Sequence, residues 1–117
     1  MTEDDALTAF SAISSQTRLR ILKSLVNAGP EGLVAGDVAE AVGATPSRAS
    51  FHLSNLAEAG LITAHRQSRQ ITYRVDFTAI GALVRYLLED CCGNNETVRA
   101  CCQPGTSCTP GASGSAC

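Results

Sequence analysis

Over the first sixty positions apolar residues recur at steps of three and four, the spacing that lines one face of an α-helix. Leu19, Leu22, Leu25 and Val26 form such a stripe, with Ser15 placed to cap its start and Gly29-Pro30 to stop it. Asp4 to Ile13 reads as an earlier helix whose acidic residues lie where the helix dipole favours them. Leu33 to Val42 is a shorter one, closed by Gly43. Thr45-Pro46 then supplies an N-cap followed by proline at the first helical position. That helix should end at Gly60-Leu61, a left-handed glycine followed by its hydrophobic contact.

After Gly60 the period changes to two. Ile62, Ala64 and Arg66 alternate with Thr63, His65 and Gln67, and Ile71, Tyr73 and Val75 alternate with Thr72 and Arg74. This is a hairpin with Gln67-Ser68-Arg69-Gln70 at its tip. Asp76 can cap a last helix, along which Phe77, Ile80, Val84, Leu87 and Cys91 step by three and four. Leu83 and Leu88 widen that stripe beyond what a small monomer covers, so a dimer through this helix is expected. The pattern is that of an α+β, mostly helical winged helix-turn-helix with a two-stranded β-wing.

Composition divides the chain. Its 117 residues are 44% hydrophobic, enough for one packed domain and too few for a two-domain enzyme. No apolar run is long enough to span a bilayer. The start MTEDDALTAF lacks the basic segment of a secretory signal, so a cytoplasmic protein is expected. Residues 1–90 hold nearly all the large apolar side chains. From Cys91 to Cys117 only Val98 is a branched aliphatic, and this tail is expected to be loose unless something ties it down.

Charge is uneven too. The net charge is −2, yet residues 45–74 carry Arg48, Arg66, Arg69 and Arg74 against Glu58 alone. A basic segment on an acidic protein points to a focused contact with a polyanion. On the Thr45–Gly60 helix, Ala49, Leu53, Leu56 and Ala57 form the inward stripe. Ser47, Ser50 and Ser54 face away, with Arg48, His52 and Asn55 on a flank. Small hydroxyls let a helix approach the floor of a DNA groove, and arginine pairs with guanine edges or phosphate. Arg66 and Arg69 would reach phosphates or a flanking minor groove. Phe51, apolar on the outward face, either packs under the wing or touches a thymine methyl, and packing is the expectation. No nucleophile–base pair, carboxylate pair or phosphate loop can be picked out, so no enzyme is expected.

All six cysteines, Cys91, Cys92, Cys101, Cys102, Cys108 and Cys117, lie in the last 27 residues and cannot staple the core. Thiolates select soft acceptors. A vicinal pair with a third sulfur from a return loop suits trivalent arsenic or antimony, which binds three sulfurs in a pyramid with its lone pair in the fourth direction. Zinc prefers a tetrahedron and commonly CxxC spacing, which is absent here, as is any histidine in the tail. The alternatives are a soft-metal-binding protein, since four of these thiolates could make a Cys-only zinc site, or a redox switch that closes a disulfide across the loop. Cys108 and Cys117 are expected to be dispensable.

With these features in place, the chain resembles the ArsR/SmtB family of winged-helix repressors, and within it the arsenic-responsive ArsR type. The resemblance runs from about Leu7 to Cys92. It rests on SSQTRLRILKSLV, TPSRASFHLSNLAEAGLI and ITAHRQSRQITYRV, and includes Ser50-Phe51-His52-Leu53 and Glu58-Ala59-Gly60-Leu61-Ile62. It implies a homodimer joined through the first and last helices, seated on operator DNA and released when an inducer binds. Thr45, Ser47, Arg48, Ser50 and His52 would meet DNA from the helix, and Arg66 and Arg69 from the wing. Members that bind arsenite on the third helix carry cysteines there, whereas Gly32-Leu33-Val34-Ala35-Gly36-Asp37-Val38 has none. A second group, with a vicinal pair at the end of the last helix and a cysteine downstream, is more similar. The implied inducer is As(III), held by Cys91, Cys92 and either Cys101 or Cys102, with no catalytic cofactor. Antimonite or a methylated arsenical, which needs only two thiolates, remains an alternative inducer.

Overall fold

Most helices of the N-terminal part begin where a side-chain oxygen receives an amide that the helix itself cannot satisfy. In the computed structural model, which describes residues 1–103 and 105, α1 (Glu3–Ile13) opens with a reciprocal capping box between Thr2 and Asp5, both bonds 3.1 Å. The Thr2 bonds hold the Asp5 carboxyl below its ordinary value. Ser15 Oγ accepts the Arg18 amide at 3.4 Å and starts α2 (Gln16–Ala28). A single 3₁₀ turn, Gly29–Glu31, ends that element where Gly29-Pro30 was expected to stop it. The short α3 (Ala35–Val42) begins without a side-chain cap and closes on left-handed Gly43. Thr45 Oγ1 accepts the Arg48 amide at 3.3 Å at the head of α4 (Pro46–Glu58). The end of α4 matches expectation. Gly60 has φ +80°, the Leu61 amide bonds back to the Leu56 carbonyl at 3.1 Å, and the Leu61 side chain is buried.

The sheet has one strand more than the sequence predicted. β1 (Leu33–Val34), β2 (Ile62–Gln67) and β3 (Gln70–Val75) are antiparallel in the order β1-β3-β2. Gln67 pairs with Gln70, so the hairpin turn is the two residues Ser68-Arg69, with Ser68 at φ +60°. Leu33 and Val34, expected to be helical, pair instead with Tyr73 and Thr72. Gly32 permits this docking. At φ +71°, any Cβ there would overlap the Tyr73 carbonyl oxygen and lie 2.7 Å from Arg74 Cγ.

The core collects Ile21 and Leu25 from α2, Val38 from α3, Ala49, Leu53 and Leu56 from α4, and Leu61, Ile62, Tyr73 and Val75 from the sheet region. The buried face of α1 is Ala6, Ala9 and Ala12, small enough for close packing on α2 and α4. Beyond Ile62 every residue of β2 is exposed, so this edge strand of the wing is solvated. These elements belong to one compact unit, Met1–Ile80.

A second unit begins at Gly81. The last long helix departs from the expected single α-helix. Asp76 caps it through the Ala79 amide at 3.1 Å, α5 runs Phe77–Arg85, and Tyr86–Cys91 continues as a π-helical turn. The Cys92 amide bonds five residues back, to the Leu87 carbonyl, at 2.9 Å. Gly93 and Asn94 are both left-handed and reverse the chain. Asn95 Oδ1 then accepts the Thr97 and Val98 amides at 2.9 and 3.3 Å and caps α6 (Glu96–Cys101). The stretch after Cys91 is therefore helical in part, where a loose tail was expected, because Asn95 supplies a cap. Among the described residues no helix is long and apolar enough to cross a membrane.

Candidate nucleic-acid interface and thiol site

Helix α4 buries Ala49, Leu53 and Leu56, which turns Ser47, Arg48, Ser50 and Ser54 to solvent as the sequence pattern implies. Arg66 and Arg69 are exposed near and at the hairpin tip. Ser50 and Arg69 come together at one open cavity of about 330 Å³, which Gln70 and the start of α3 also line. The wing is thus brought beside α4. Thr45 is exposed, but its hydroxyl oxygen receives the Arg48 amide, so its first role is to cap.

Two outward residues differ from expectation. His52 does not project freely toward a groove. It is partly buried, and its Nδ1 lies 3.2 Å from a guanidinium nitrogen of Arg18 on α2. A guanidinium only donates, so Nδ1 accepts and the ring is the neutral tautomer protonated at Nε2. Burial, then the charges of Arg18 and Arg48, hold the His52 pKa below its ordinary value. Arg18 Nε also donates to the Ala12 carbonyl at the end of α1. Arg18 therefore ties α1, α2 and α4 together, a role without a local sequence signal because His52 lies 34 positions away. Phe51, expected to pack under the wing, is 63% exposed. Its ring meets the His52 ring edge-on, with centroids 5.6 Å apart and planes at 64°.

Cys91 and Cys92 end the π-helical turn after α5, and Cys101 and Cys102 lie at the end of α6. Cys91 and Cys102 are exposed free thiols and Cys92 is a partly buried one. Cys101 is disulfide-bonded, so Cys102 is the free member of the pair considered for a third sulfur. The Cys92 pKa is raised, first by burial, then by a hydrogen bond with Cys91 and by electrostatic interaction with Cys91 and Cys102. Cys102 therefore lies within electrostatic reach of Cys92. Cys102 follows α6, after the reversal at Gly93-Asn94. Among the described residues no three histidine, cysteine or acidic side chains are already gathered as a metal site. Cys108 and Cys117 lie outside the described residues.

Comparison with known proteins fits this geometry. Residues 13–65, from the end of α1 into β2, match a family described as "Helix-turn-helix domain". The chain is 34% identical over 79 residues to the transcriptional repressor SdpR of Bacillus subtilis (strain 168), covering 68% of this chain and 84% of SdpR. Among solved structures, the homodimeric winged helix-turn-helix domain of Mb0332 from Mycobacterium bovis, described as a possible ArsR-family regulator, is 25% identical. It superposes with a TM-score of 0.59 over 79% of this chain and 85% of that one. The antimony-specific transcriptional repressor AntR is 29% identical, with a TM-score of 0.58 over 79% and 83%. The chain belongs to the helix-turn-helix transcriptional regulators, with the winged-helix fold of these solved neighbours, and so is a DNA-binding protein. These relatives are regulators rather than enzymes.

Proposed function

We propose that the protein is an As(III)-responsive repressor that binds operator DNA as a homodimer and leaves it when Cys91, Cys92 and Cys102 take the inducer. The observation that carries this reading is the set of three free thiols, Cys91 and Cys92 where the last long helix ends and Cys102 at the end of α6. AntR adds support, since that relative is named for a neighbouring trivalent element of the same coordination chemistry. Arsenite reaches the site as neutral As(OH)₃. Each As–O bond is replaced by As–S, and the thiol proton leaves with the hydroxide as water. A Cys92 held as thiol by its neighbours is therefore compatible with loading at neutral pH, whereas a divalent cation would have to expel its protons.

Closing Cys102 onto the vicinal pair would order the turn and act on the π-helical segment that joins it to α5. π-helical turns are frequent at functional sites, and Tyr86–Cys91 is the π-helical part of that helix. In a dimer built on this helix, retilting it changes the separation of the two α4 helices. Half-sites lie about 34–36 Å apart, so a misfit weakens both halves together. Arsenic X-ray absorption on the loaded protein tests the ligand set. Three sulfurs are expected in the wild type and in Cys101→Ser, and two in Cys102→Ser. Three sulfurs retained in Cys102→Ser would assign the third position elsewhere, and two in the wild type would favour a methylated inducer.

The disulfide at Cys101 supports a second reading, a thiol-redox sensor on the same fold. The two readings separate under reductant. An arsenite sensor still responds when every cysteine is held reduced, and a redox sensor does not.

A further inference from the structure

Phe51 stands at the centre of the outward face of α4, with Ser47 one turn before it and Ser54 one turn after. An aromatic ring 63% exposed to water is an unusual occupant of that position, because the wing leaves it uncovered and small hydroxyls border it. Its setting is cationic. Arg48 is exposed on the same helix, and Arg66 and Arg69 are exposed on the neighbouring wing. Two turns further along the same stripe, the exposed Glu58 would repel phosphate and keep the C-terminal half of α4 away from the duplex. The N-terminal half, with Phe51 as its only large apolar group, is left to enter the groove.

We infer that Phe51 is a base-reading residue whose ring contacts a thymine methyl group in the major groove. This rests on the operator-binding reading above. The thymine C5-methyl is the apolar feature of the major-groove edge and is the natural contact for an apolar side chain there. The ring is aimed by its surroundings. The His52 ring packs edge-on against it while Arg18 holds His52 from α2. His52 and Arg18 are in this view positioning residues, which set the ring without touching a base.

Deoxyuridine scanning tests the assignment. The full-length protein selects its preferred duplexes from a randomised pool, and each thymine is then replaced singly by deoxyuridine, which removes only the methyl. At one position per half-site the wild type should lose about fourfold in affinity, the worth of one buried methyl. Phe51→Ala should bind the thymine duplex more weakly and show no difference between thymine and uracil at that position. Phe51→Leu should keep part of the discrimination. Phe51 is exposed, so these variants leave the core intact, and circular dichroism and light scattering verify helix content and subunit number. Equal uracil penalties in wild type and Phe51→Ala would overturn the assignment, as would a wild type indifferent to every methyl. A change of oligomeric state in Phe51→Ala would overturn it as well, by making the ring part of a subunit interface. Failure of the wild type to retain any duplex would instead overturn the operator-binding reading itself.

Discussion

His52 shows how one side chain can change role between sequence and structure. Its place on the flank of α4 marks it for the groove, yet Arg18 draws it back, and the bond at 3.2 Å requires an unprotonated Nδ1. The pH consequence has a definite sign. The folded pKa lies below the unfolded value of about 6.5, so between the two the unfolded chain binds more protons and stability rises with pH. The stabilisation is complete above the unfolded value and is lost as pH falls through the window beneath it. Urea unfolding should give a lower midpoint at mildly acidic pH than at neutral pH, and His52→Asn should remove most of that difference. An unchanged pH dependence in His52→Asn would place the titrating group elsewhere. Nothing adjacent in sequence announces this pairing, because its partner is on another helix.

At the level of elements, what was legible is what local chemistry decides. Ser15, Thr45 and Asp76 were assigned as caps from sequence and each accepts the expected amide. Gly60 was read as a left-handed terminator and is one. The elements that escaped have other causes. β1 exists only because Leu33 and Val34 find partners about forty residues away on β3. The π-helical turn keeps an apolar spacing that looks ordinary for an α-helix, and only its five-residue hydrogen bond distinguishes it. α6 has no large apolar residue besides Val98 and is a short helix under an asparagine cap. Thr45 lies where the cap and the DNA contact compete as explanations. Thr45→Ala should destabilise the fold by about 1 kcal/mol, and Thr45→Ser should restore it. If the folded Thr45→Ala protein binds operator as tightly as wild type, the cap is the whole of its contribution.

For the whole molecule, the apolar side chains left in water by a single chain are informative. Leu7 on α1 is 58% exposed, and Val84 and Leu87 on the last helix are 45% and 38% exposed. These are the helices expected to join two subunits. Val84→Asp should shift the protein to monomer in light scattering, and operator affinity should fall at least about tenfold because each half-site is then bound singly. A Val84→Asp dimer of normal affinity would move the interface elsewhere. The legible part of the function follows the same division. The basic wing and the serine face of α4 could be read from residue types, as could the vicinal thiols, since each is a local feature. Which of Cys101 and Cys102 is a free thiol was not legible, because the disulfide at Cys101 depends on the fold.

The central claim joins the two ends of the chain's chemistry, thiols that receive arsenite and a helix that holds DNA. Fluorescence anisotropy of a labelled operator duplex, saturated with reduced protein and titrated with arsenite, measures that link in one experiment. The wild type should release the duplex as arsenite is added. Cys91→Ser/Cys92→Ser should bind the same duplex with unchanged affinity and hold it throughout the titration. Release from the double variant at the same arsenite concentration, or retention by the wild type, would contradict the account.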